Sequence, residues 1–382
     1  MNDRPHLVDT TVFYSPTSGG VKRYLSAKHA WLAAHSRWQH TLVVPGARDR
    51  TERGGLCTLA GYPVPGSFNY RLPLNIRRWL RLLDALEPDL IEAGDAFHPA
   101  WAAWRLARRR GIPLAAFYHS NLPQIVSRRV GGRLSERALG RYVSWLYERY
   151  DVVFAPSRLM RDMLHGLGVQ HAVHQPLGVD TEVFQPQRRG GWLRQRLGLA
   201  PAARVLVYAG RFAGEKNVPV LLEAFGLLGS PYHLLLIGGD REGRPAANVT
   251  MLPYRRDSIE LAEWLASADA LVHAGTKETF GLVLLEAMAC GRPVVAARAG
   301  AIPEFVDDTV GMLAEPGSGA SMAEAIAALY ERDLEEPGAN ARARVLRKFT
   351  WNRAFQGQMA TYNALLGRER IAVPAREAVE PS

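Results

Sequence analysis

Only two cysteines, Cys57 and Cys290, occur in the 382 residues, and they are far apart without the spacing of metal ligands. This scarcity excludes a disulfide scaffold and favours a reducing compartment. No apolar run approaches the roughly 18 residues needed to cross a bilayer. The N-terminal sequence Met-Asn-Asp-Arg-Pro lacks the basic-then-apolar order of a signal peptide. We therefore expect a soluble, cytoplasmic protein.

A complete G-x-G-x-x-G fingerprint and internal repeats of solenoid period are also missing. The first absence argues against a dinucleotide-binding oxidoreductase. What remains is the composition of an ordinary folded protein, with 47% hydrophobic and 22% charged residues. At roughly 100–200 residues per domain, this length predicts two or three domains with cores of their own.

Positive charge is concentrated in the first half of the chain. Residues 1–175 carry 24 Lys and Arg against 13 Asp and Glu, a net charge of +11, whereas the remainder is close to neutral. Such asymmetry indicates an anionic partner for one domain: nucleic acid, an anionic membrane or an acidic substrate. A solvated basic surface that only maintains solubility explains the charge equally well.

Short apolar runs that end in turn residues alternate with helical patterns, which is typical of parallel α/β sheets. We predict strands near residues 6–13, 40–44, 89–93, 114–118 and 151–155, and then near 204–209, 233–237, 249–252, 268–274, 294–297 and 311–314. Apolar residues recur at helical spacing over 218–228, 257–266 and 321–330.

The two series of strands predict two domains. A stretch containing Pro176, Pro186 and the pair Gly190-Gly191 separates the two series. We therefore predict an N-terminal domain over 1–176, a linker over 177–191 and a second domain over 192–350. An amphipathic helix over 351–368 and a frayed tail over 369–382 would follow. Two doubly wound domains facing each other would bind a ligand in the cleft at the carboxyl ends of their strands.

Three motifs could form that ligand site. The first is Ser18-Gly19-Gly20-Val21, between the first strand and a helix. Its glycines allow close approach of the backbone, and the helix start offers N–H groups to an anion. An ordinary connector between strand and helix is the more common explanation of such a turn.

The second motif is the loop over residues 210–217, Gly-Arg-Phe-Ala-Gly-Glu-Lys-Asn, directly after a strand. Arg211 and Lys216 could hold a diphosphate there, the arginine as a planar fork and the lysine as a point charge. A solvated turn is the alternative, since both residue types are usually exposed.

The third motif runs over residues 277–293 and contains Glu278, a predicted helix from about Gly281, and Glu286. Gly291 and Pro293 end that helix. The first turn presents N–H groups to phosphate and sugar oxygens. Glu286 lies among apolar residues, where a carboxylate is costly unless it is paired or bonded to ligand hydroxyls. A structural salt bridge is the other explanation.

The segment Glu278-x7-Glu286 with Phe-Gly-Leu inside it resembles the E-x7-E signature of retaining GT-B glycosyltransferases, specifically glycosyltransferase family 4. The resemblance covers nearly the whole chain. Further matching features are the Gly19-Gly20 loop, His119 in Phe-Tyr-His-Ser-Asn, the linker sequence over 178–184, Arg211 with Lys216, Ala268-Asp269, and Gly-Ala-Ile-Pro-Glu over 300–304. It implies two Rossmann-like domains facing across a cleft.

The resemblance also implies roles for individual residues. Arg211 and Lys216 would hold the donor diphosphate and neutralise the leaving group. Glu286 would bind the ribose hydroxyls, and Glu278 would contact the transferred sugar. The two cations would replace a divalent metal ion, and no Asp-x-Asp motif follows a strand, so neither a metal nor another cofactor is expected.

Backbone groups would complete the donor site, those of Phe280, Gly281 and Leu282 binding donor sugar and phosphate. His119 would lie at the hydroxymethyl side of the sugar, and Gly20 would approach the phosphate or the acceptor. The helix that begins near Trp351 resembles the segment that crosses back to the N-terminal domain in such proteins.

The sequence departs from the family pattern at two places near the expected nucleotide pocket. His273-Ala274-Gly275 replaces a more familiar Pro-Ser, and the stretch over 241–245 is unusually charged. The base, guanine or uracil, therefore stays open. The sequence Tyr-Ser-Pro-Thr-Ser-Gly-Gly over 14–20, together with His273-Ala274-Gly275, looks most like bacterial α-mannosyl- or glucosyltransferases with lipid acceptors.

Basic residues of the N-terminal domain are interleaved with aromatic ones. Arginines cluster over residues 77–81, 105–110 and 128–149, near Trp79, Trp101, Trp104 and Trp145. Basic side chains beside tryptophan suit an interfacial surface segment. We therefore expect a retaining hexosyltransferase that uses GDP-mannose or UDP-glucose and acts on a lipid or lipid-linked acceptor, peripheral to the inner face of the membrane.

Other functions remain open on these residues. A glycosyltransferase with a soluble or polysaccharide acceptor has the same motifs. A sugar-nucleotide epimerase has a similar two-domain shape but needs groups arranged for proton shuttling. A basic module that binds membrane or RNA explains the charge but leaves Glu278 and Glu286 without a role, and no nucleic-acid recognition module accompanies the charge.

Overall fold

Two separate parallel-dominated sheets, one in each half of the chain, form the frame of the molecule. The computed structural model describes residues 4–15, 19–52, 54–65, 69–121 and 132–367, apart from the side chains of residues 133 and 134. Ser18, the arginines at 128 and 129, and the predicted tail over 369–382 lie outside the described residues. Helices cover both faces of each sheet, so the expected α/β fold with two doubly wound domains is confirmed.

The first sheet belongs to the N-terminal half. Its strands and a small adjoining hairpin are His6–Thr10 (β1), Gln39–Gly46 (β2), Arg50–Thr51 (β3), Leu56–Ala60 (β4), Tyr62–Pro63 (β5), Arg71–Leu72 (β6), Leu90–Ala93 (β7), Leu114–Phe117 (β8), Val152–Ala155 (β9) and Ala172–His174 (β10). The order across the sheet is β10-β9-β8-β7-β1-β2-β4-β3, parallel except at β3. The hairpin of β5 and β6 stands apart as a two-stranded sheet.

The helices of this half follow local capping signals. They are Gly20–His35 (α1), Ile76–Ala85 (α2), His98–Arg110 (α3), Gly132–Tyr147 (α4) and Arg158–Gly166 (α5). The side chain of Asn75 caps α2 by accepting from two backbone N–H groups, and that of Ser157 caps α5 by accepting from one, that of Met160. Helix α3 has Pro99 in its first turn and ends at Gly111, whose φ of 65° suits glycine.

The second sheet has seven strands. They are Arg204–Ala209 (β11), Tyr232–Gly239 (β12), Gly243–Ala246 (β13), Val249–Pro253 (β14), Ala270–His273 (β15), Val294–Ala297 (β16) and Gly311–Ala314 (β17). Their order is β13-β14-β12-β11-β15-β16-β17, and β13 alone pairs antiparallel. Strands β15 and β16 are buried along their whole length and β11 is buried at all but its first residue, as expected of a parallel sheet covered on both faces.

Seven helices belong to the second half of the chain over residues 192–367. They are Trp192–Arg196 (α6), Val218–Leu228 (α7), Ser258–Ser267 (α8), Leu282–Ala289 (α9), Gly319–Leu329 (α10), Glu335–Lys348 (α11) and Trp351–Gly367 (α12). None of the helices in the described ranges is both long and apolar enough to span a bilayer.

Helix α12 packs back on the N-terminal sheet through a buried polar network. The Lys28 ammonium on α1 lies 3.0 Å from Asp9, 2.9 Å from Glu92 and 2.9 Å from the Tyr362 hydroxyl. The Tyr362 hydroxyl in turn donates to Glu92. Because a buried charge is tolerated only with such partners, this network fixes α12 against α1.

The chain passes between the halves at two adjacent points. Val179 forms an isolated parallel bridge with Thr350. A Cβ atom on Gly178 would lie 2.3 Å from the backbone nitrogen of Trp351. The linker and the start of α12 are therefore packed against each other, and only glycine fits at position 178.

All eleven predicted strands are present. Strands β11, β16 and β17 have the predicted bounds, whereas the first predicted strand ends at Thr10 rather than at residue 13. Trp79 is fully buried in the core, but Trp104 and Trp145 are only partly buried. The tryptophans near the arginine clusters thus include a core residue as well as residues that reach the surface.

Candidate active site

The loop over residues 210–217 begins at the carboxyl end of β11. Gly210 has a φ of 154°, and a Cβ atom on Gly238 would lie 1.8 Å from the Gly210 carbonyl oxygen. The ends of β11 and β12 thus touch through two glycines. The loop also contacts the segment that follows β15, the neighbouring strand in the sheet, because the Thr276 N–H donates to the Glu215 carbonyl at 3.3 Å.

Each of the two cationic side chains of this loop lies near a carboxylate. Lys216, 21% exposed, forms an ion pair with Glu278. Arg211 lies 3.8 Å from Glu215 and is 47% exposed. Lys216 therefore points at the third motif, whereas much of Arg211 faces solvent at the same strand edge.

Glu278 is held by groups from three segments. Its Oε1 atom contacts Lys216 and lies 3.1 Å from Nε2 of His273. Its carbonyl oxygen accepts from Ala301 N–H at 3.0 Å, and a Cβ atom on Gly300 would lie 2.6 Å from that oxygen. Burial acts to raise the pKa of Glu278, but the Lys216 ammonium and His273 outweigh it and hold the pKa below its usual range.

Helix α9 starts at the cleft and carries the second glutamate. Gly281 precedes it in the left-handed conformation, with φ of 92°, so the predicted helix begins one residue later, at Leu282. Phe280 is buried between Phe305 and Phe349, at ring distances of 5.9 and 6.0 Å. Because this side chain is packed in the interior, it is the backbone of the turn that can contact a ligand.

Glu286 is 2% exposed on α9, and its two oxygens have different surroundings. Oε1 forms an ion pair with Arg23 of α1, in the other half of the molecule. Oε2 is buried, and no residue in the described part of the chain gives it a hydrogen bond. A buried carboxylate oxygen in this state is costly, and ligand hydroxyls would satisfy it.

Residues of the N-terminal half meet α9 and the turn before it. A Cβ atom on Gly20 would lie 3.4 Å from Cδ1 of Leu282. Thr279 donates its hydroxyl to the carbonyl oxygen of His119 at 3.3 Å. The structure thus brings Gly20, His119, Leu282 and the two glutamates of the third motif to one cleft.

His119 is a neutral residue in this cleft. Its ring stacks on Phe117 at 4.4 Å and lies 4.9 Å from the ring of Tyr24. Burial lowers the pKa of His119 to about 3. Its Nε2 atom is buried without a hydrogen-bond partner. With respect to the described residues, this ring nitrogen is therefore available to donate or accept a hydrogen bond to a ligand, and the ring does not supply a charge near neutral pH.

Sequence reasoning missed three residues that hold the site together. Arg23 and His273 contact the two glutamates. Glu304 accepts from the backbone N–H groups of Arg158 and Leu159, each at 2.8 Å, at the start of α5 in the other half. Glu304 lies in the Gly-Ala-Ile-Pro-Glu motif, and Arg23 lies one helical turn after Gly19. Both residues therefore lie in or next to motifs that the sequence analysis identified.

The arrangement of the acidic, histidine and cysteine side chains bears on metal binding. Among the described residues, no group of three or more His, Cys, Asp or Glu side chains is arranged to hold a metal ion. The acidic residues of the cleft are instead engaged by Lys216, His273 and Arg23.

Two doubly wound domains that meet around this cleft define the GT-B class of glycosyltransferases. The chain matches the family described as "Glycosyltransferase Family 4" over residues 18–183 and "Glycosyl transferases group 1" over residues 203–332. It is 30% identical to the GDP-mannose-dependent alpha-(1-6)-phosphatidylinositol dimannoside mannosyltransferase of Mycobacterium tuberculosis, over 94% of this chain and 96% of that protein. The chain therefore belongs to glycosyltransferase family 4.

Other similar proteins agree with this assignment. A GDP-mannose-dependent alpha-mannosyltransferase of Mycobacterium tuberculosis is 34% identical over 60% of this chain and 61% of that protein. Sucrose-phosphate synthase from Thermosynechococcus elongatus has a TM-score of 0.80 at 21% identity, covering 96% and 100% of the two chains. Anabaena HepE in complex with UDP and glucose has a TM-score of 0.74 at 20% identity, covering 94% and 99%. These structural similarities confirm the GT-B fold.

Proposed function

We propose that this glycosyltransferase is a retaining, metal-independent enzyme that moves mannose from GDP-mannose to a lipid or lipid-linked acceptor at the membrane surface. The observation that carries the proposal is the pair of glutamates in the cleft. Glu278 is ionised and held by Lys216, and Glu286 has one buried oxygen without a partner. A ligand that offers hydroxyls and a diphosphate complements both.

The donor is proposed from the relatives and from the site. Both mycobacterial relatives named above are described as GDP-mannose-dependent, which favours guanine over uracil. The buried Oε2 of Glu286 suits a ribose hydroxyl, because it needs a donor. The carboxylate of Glu278 suits hydroxyls of the transferred sugar, since its charge strengthens hydrogen bonds.

The leaving diphosphate is assigned to the loop over residues 210–217. Lys216 and Arg211 supply positive charge at the end of β11, and backbone N–H groups at the start of α9 add to it. Stabilising charge that develops on the leaving group is the main catalytic contribution available to such a site. In the front-face substitution proposed for this chain, the leaving phosphate helps to deprotonate the acceptor, so retention needs no separate protein base.

The lipid acceptor is proposed from a groove on the N-terminal half. The groove, about 520 Å³ in volume, is lined by Trp101, Trp104, Arg105, Arg108, Arg109 and Trp145. The guanidinium of Arg149 lies 3.8 Å from the centre of the Trp145 ring, and that of Arg105 lies 5.9 Å from the Trp101 ring. Asp84 pairs with Arg109. Exposed arginines around partly buried tryptophans suit the headgroup region of an anionic membrane.

This groove is connected to the cleft. The Trp101 indole donates to the Tyr142 hydroxyl at 2.7 Å, and that hydroxyl donates to the Ala96 carbonyl. Ala96 belongs to the turn after β7, where a Cβ atom on Gly94 would lie 3.3 Å from the His119 ring. A membrane docked at the groove would therefore present its lipids near the His119 side of the cleft.

Vesicle binding tests the membrane part of the proposal. Protein is sedimented with phosphatidylcholine vesicles with and without phosphatidylglycerol, at low and high salt. Each arginine near an anionic surface contributes about 1 kcal/mol, so R105Q/R108Q should bind about 30-fold more weakly. The matched control R347Q/K348Q removes the same charge from the exposed end of α11 and should bind like the wild type.

Two results would contradict the membrane proposal. If the wild type does not bind anionic vesicles at low salt, a soluble acceptor is favoured. If both double variants lose binding equally, net charge rather than the groove is responsible.

A further inference from the structure

His273, the last residue of β15, has a defined role for each ring nitrogen. Its ring is buried, with 1% exposure. The backbone N–H of Gly275 donates to Nδ1 at 3.1 Å. In the neutral ring the proton must therefore be on Nε2, which lies 3.1 Å from Oε1 of Glu278. The backbone thus selects the tautomer that donates to the glutamate.

Gly275 is part of the same arrangement. A Cβ atom at this position would lie 2.4 Å from Cε1 of the His273 ring. Any other residue would push the ring or the loop aside, and with it the hydrogen bond to Glu278. This explains in physical terms why His273 and Gly275 occur together in place of the Pro-Ser that the family resemblance suggests.

Both His273 and Lys216 contact the same oxygen of Glu278, Oε1. They differ in chemistry, because the lysine is a point charge on a flexible stem whereas the imidazole is a planar donor fixed by packing. The Tyr208 ring lies 5.9 Å from the imidazole and helps to fix it. The histidine can therefore set the rotation of the carboxylate, which the lysine alone does not.

We propose that His273 is a positioning residue of this enzyme, which holds Glu278 through Oε1 so that Oε2 accepts from hydroxyls of the transferred sugar. This inference rests on the proposed function, since it assigns a cause to the orientation of the sugar-binding carboxylate. It adds a residue that orients this carboxylate, and the contact depends on the His273 and Gly275 pair.

Two substitutions separate the two ring nitrogens. In H273N the amide can take the place of Nδ1 and accept from Gly275 N–H, but it is too short to reach Glu278. In H273Q the amide nitrogen can take the place of Nε2 and donate to Glu278. If His273 only holds the loop at Gly275, H273N should reduce turnover less than H273Q does. If His273 positions Glu278, H273Q should reduce turnover less than H273N does.

The experiment compares turnover of GDP-mannose and calorimetric binding of GDP and GDP-mannose for wild type and both variants. H273N should lower kcat about 10- to 100-fold, since a misplaced group near the reacting atoms costs up to about 10²-fold. H273Q should stay within about fivefold of wild type. GDP affinity should be unchanged in both variants, because GDP lacks the sugar, whereas H273N should bind GDP-mannose more weakly.

The inference is overturned if H273N retains wild-type kcat, or if both variants lose GDP affinity and thermal stability to the same extent. Failure of the proposed function is distinguishable, because the wild type itself would then neither bind nor turn over GDP-mannose. Melting curves of all three proteins identify a variant that fails to fold, and the kcat and GDP-mannose affinity of the other variant then decide.

Discussion

Arg23, on the first turns of α1, forms an ion pair with Glu286 of α9 across the cleft between the two halves of the molecule. The charge of Glu286 raises the pKa of Arg23. Glu286 is almost completely buried, whereas the Arg23 side chain is 28% exposed. The carboxylate proposed to bind ribose thus has its charge balanced by a residue from the opposite domain.

Removing Arg23 should destabilise the unliganded protein, because a buried carboxylate would lose its counter-charge. We expect R23M to lower stability by about 2 kcal/mol, and R23M/E286Q to recover most of that loss. Urea unfolding of the two single variants and the double variant measures the coupling. Additive effects would mean that the ion pair is not energetically significant.

Glu286 itself should control nucleotide affinity. E286Q preserves the shape of the side chain but removes the charge, so hydrogen bonds from ribose become weaker. We expect GDP to bind about 10- to 100-fold more weakly, on the scale of a hydrogen bond to a charged group. Calorimetry with E324Q, an exposed glutamate on α10, as the matched control provides the measurement. Unchanged GDP affinity in E286Q would place ribose recognition elsewhere.

The two cations of the loop over residues 210–217 should matter for turnover. We expect R211A and K216A each to lower kcat about 10²- to 10³-fold, because each removes a charge that stabilises the leaving group. R211K should also lose activity, since an ammonium does not reproduce the planar fork. R347A, on the exposed end of α11, is the control. Near-wild-type turnover in both alanine variants would contradict the assignment.

His119 should make the protein sensitive to acid. Burial lowers its pKa to about 3, below the usual value near 6.5, so the unfolded chain binds the proton first as the pH falls. Its contribution to stability is present above pH 6.5 and is lost progressively towards pH 3. Between pH 7 and 4.5 the loss is about 2–3 kcal/mol. Between pH 7 and 4.5, the free energy of unfolding of H119N, measured with urea, should fall by about 2–3 kcal/mol less than that of the wild type. Equal pH dependence in both proteins would show that His119 does not cause the loss of stability in acid.

Local signals predicted the donor half of the site well. The residues after β11 and around α9 follow strand ends and helix stops that glycine and proline mark within the sequence, so the loop over 210–217 and the start of α9 were placed within one residue. Strand β10, at one edge of the first sheet, and strand β4, next to the other edge, were missed, because both are only partly buried and lack the continuous burial of the central strands.

Contacts between distant segments could not be predicted. The spacing of Glu278 and Glu286 indicated two carboxylates near one helix start, but not that His273 would bind one and Arg23 the other. Those partners are set by the register of β15 and by the packing of α1 against the second half, which depend on the whole fold. Position alone also did not separate Trp79, in the core, from Trp104, at the surface groove.

The anomeric configuration of the product tests the central claim most directly. The protein is incubated in EDTA with GDP-mannose and vesicles that contain the proposed lipid acceptor, and the mannosylated lipid is analysed by NMR. We predict an α-linked mannose, formed in EDTA at the same rate as with added Mg²⁺, because Arg211 and Lys216 are proposed to take the place of a metal. A β-linked product, or transfer that occurs only when Mg²⁺ is restored, would contradict a retaining and metal-independent mechanism.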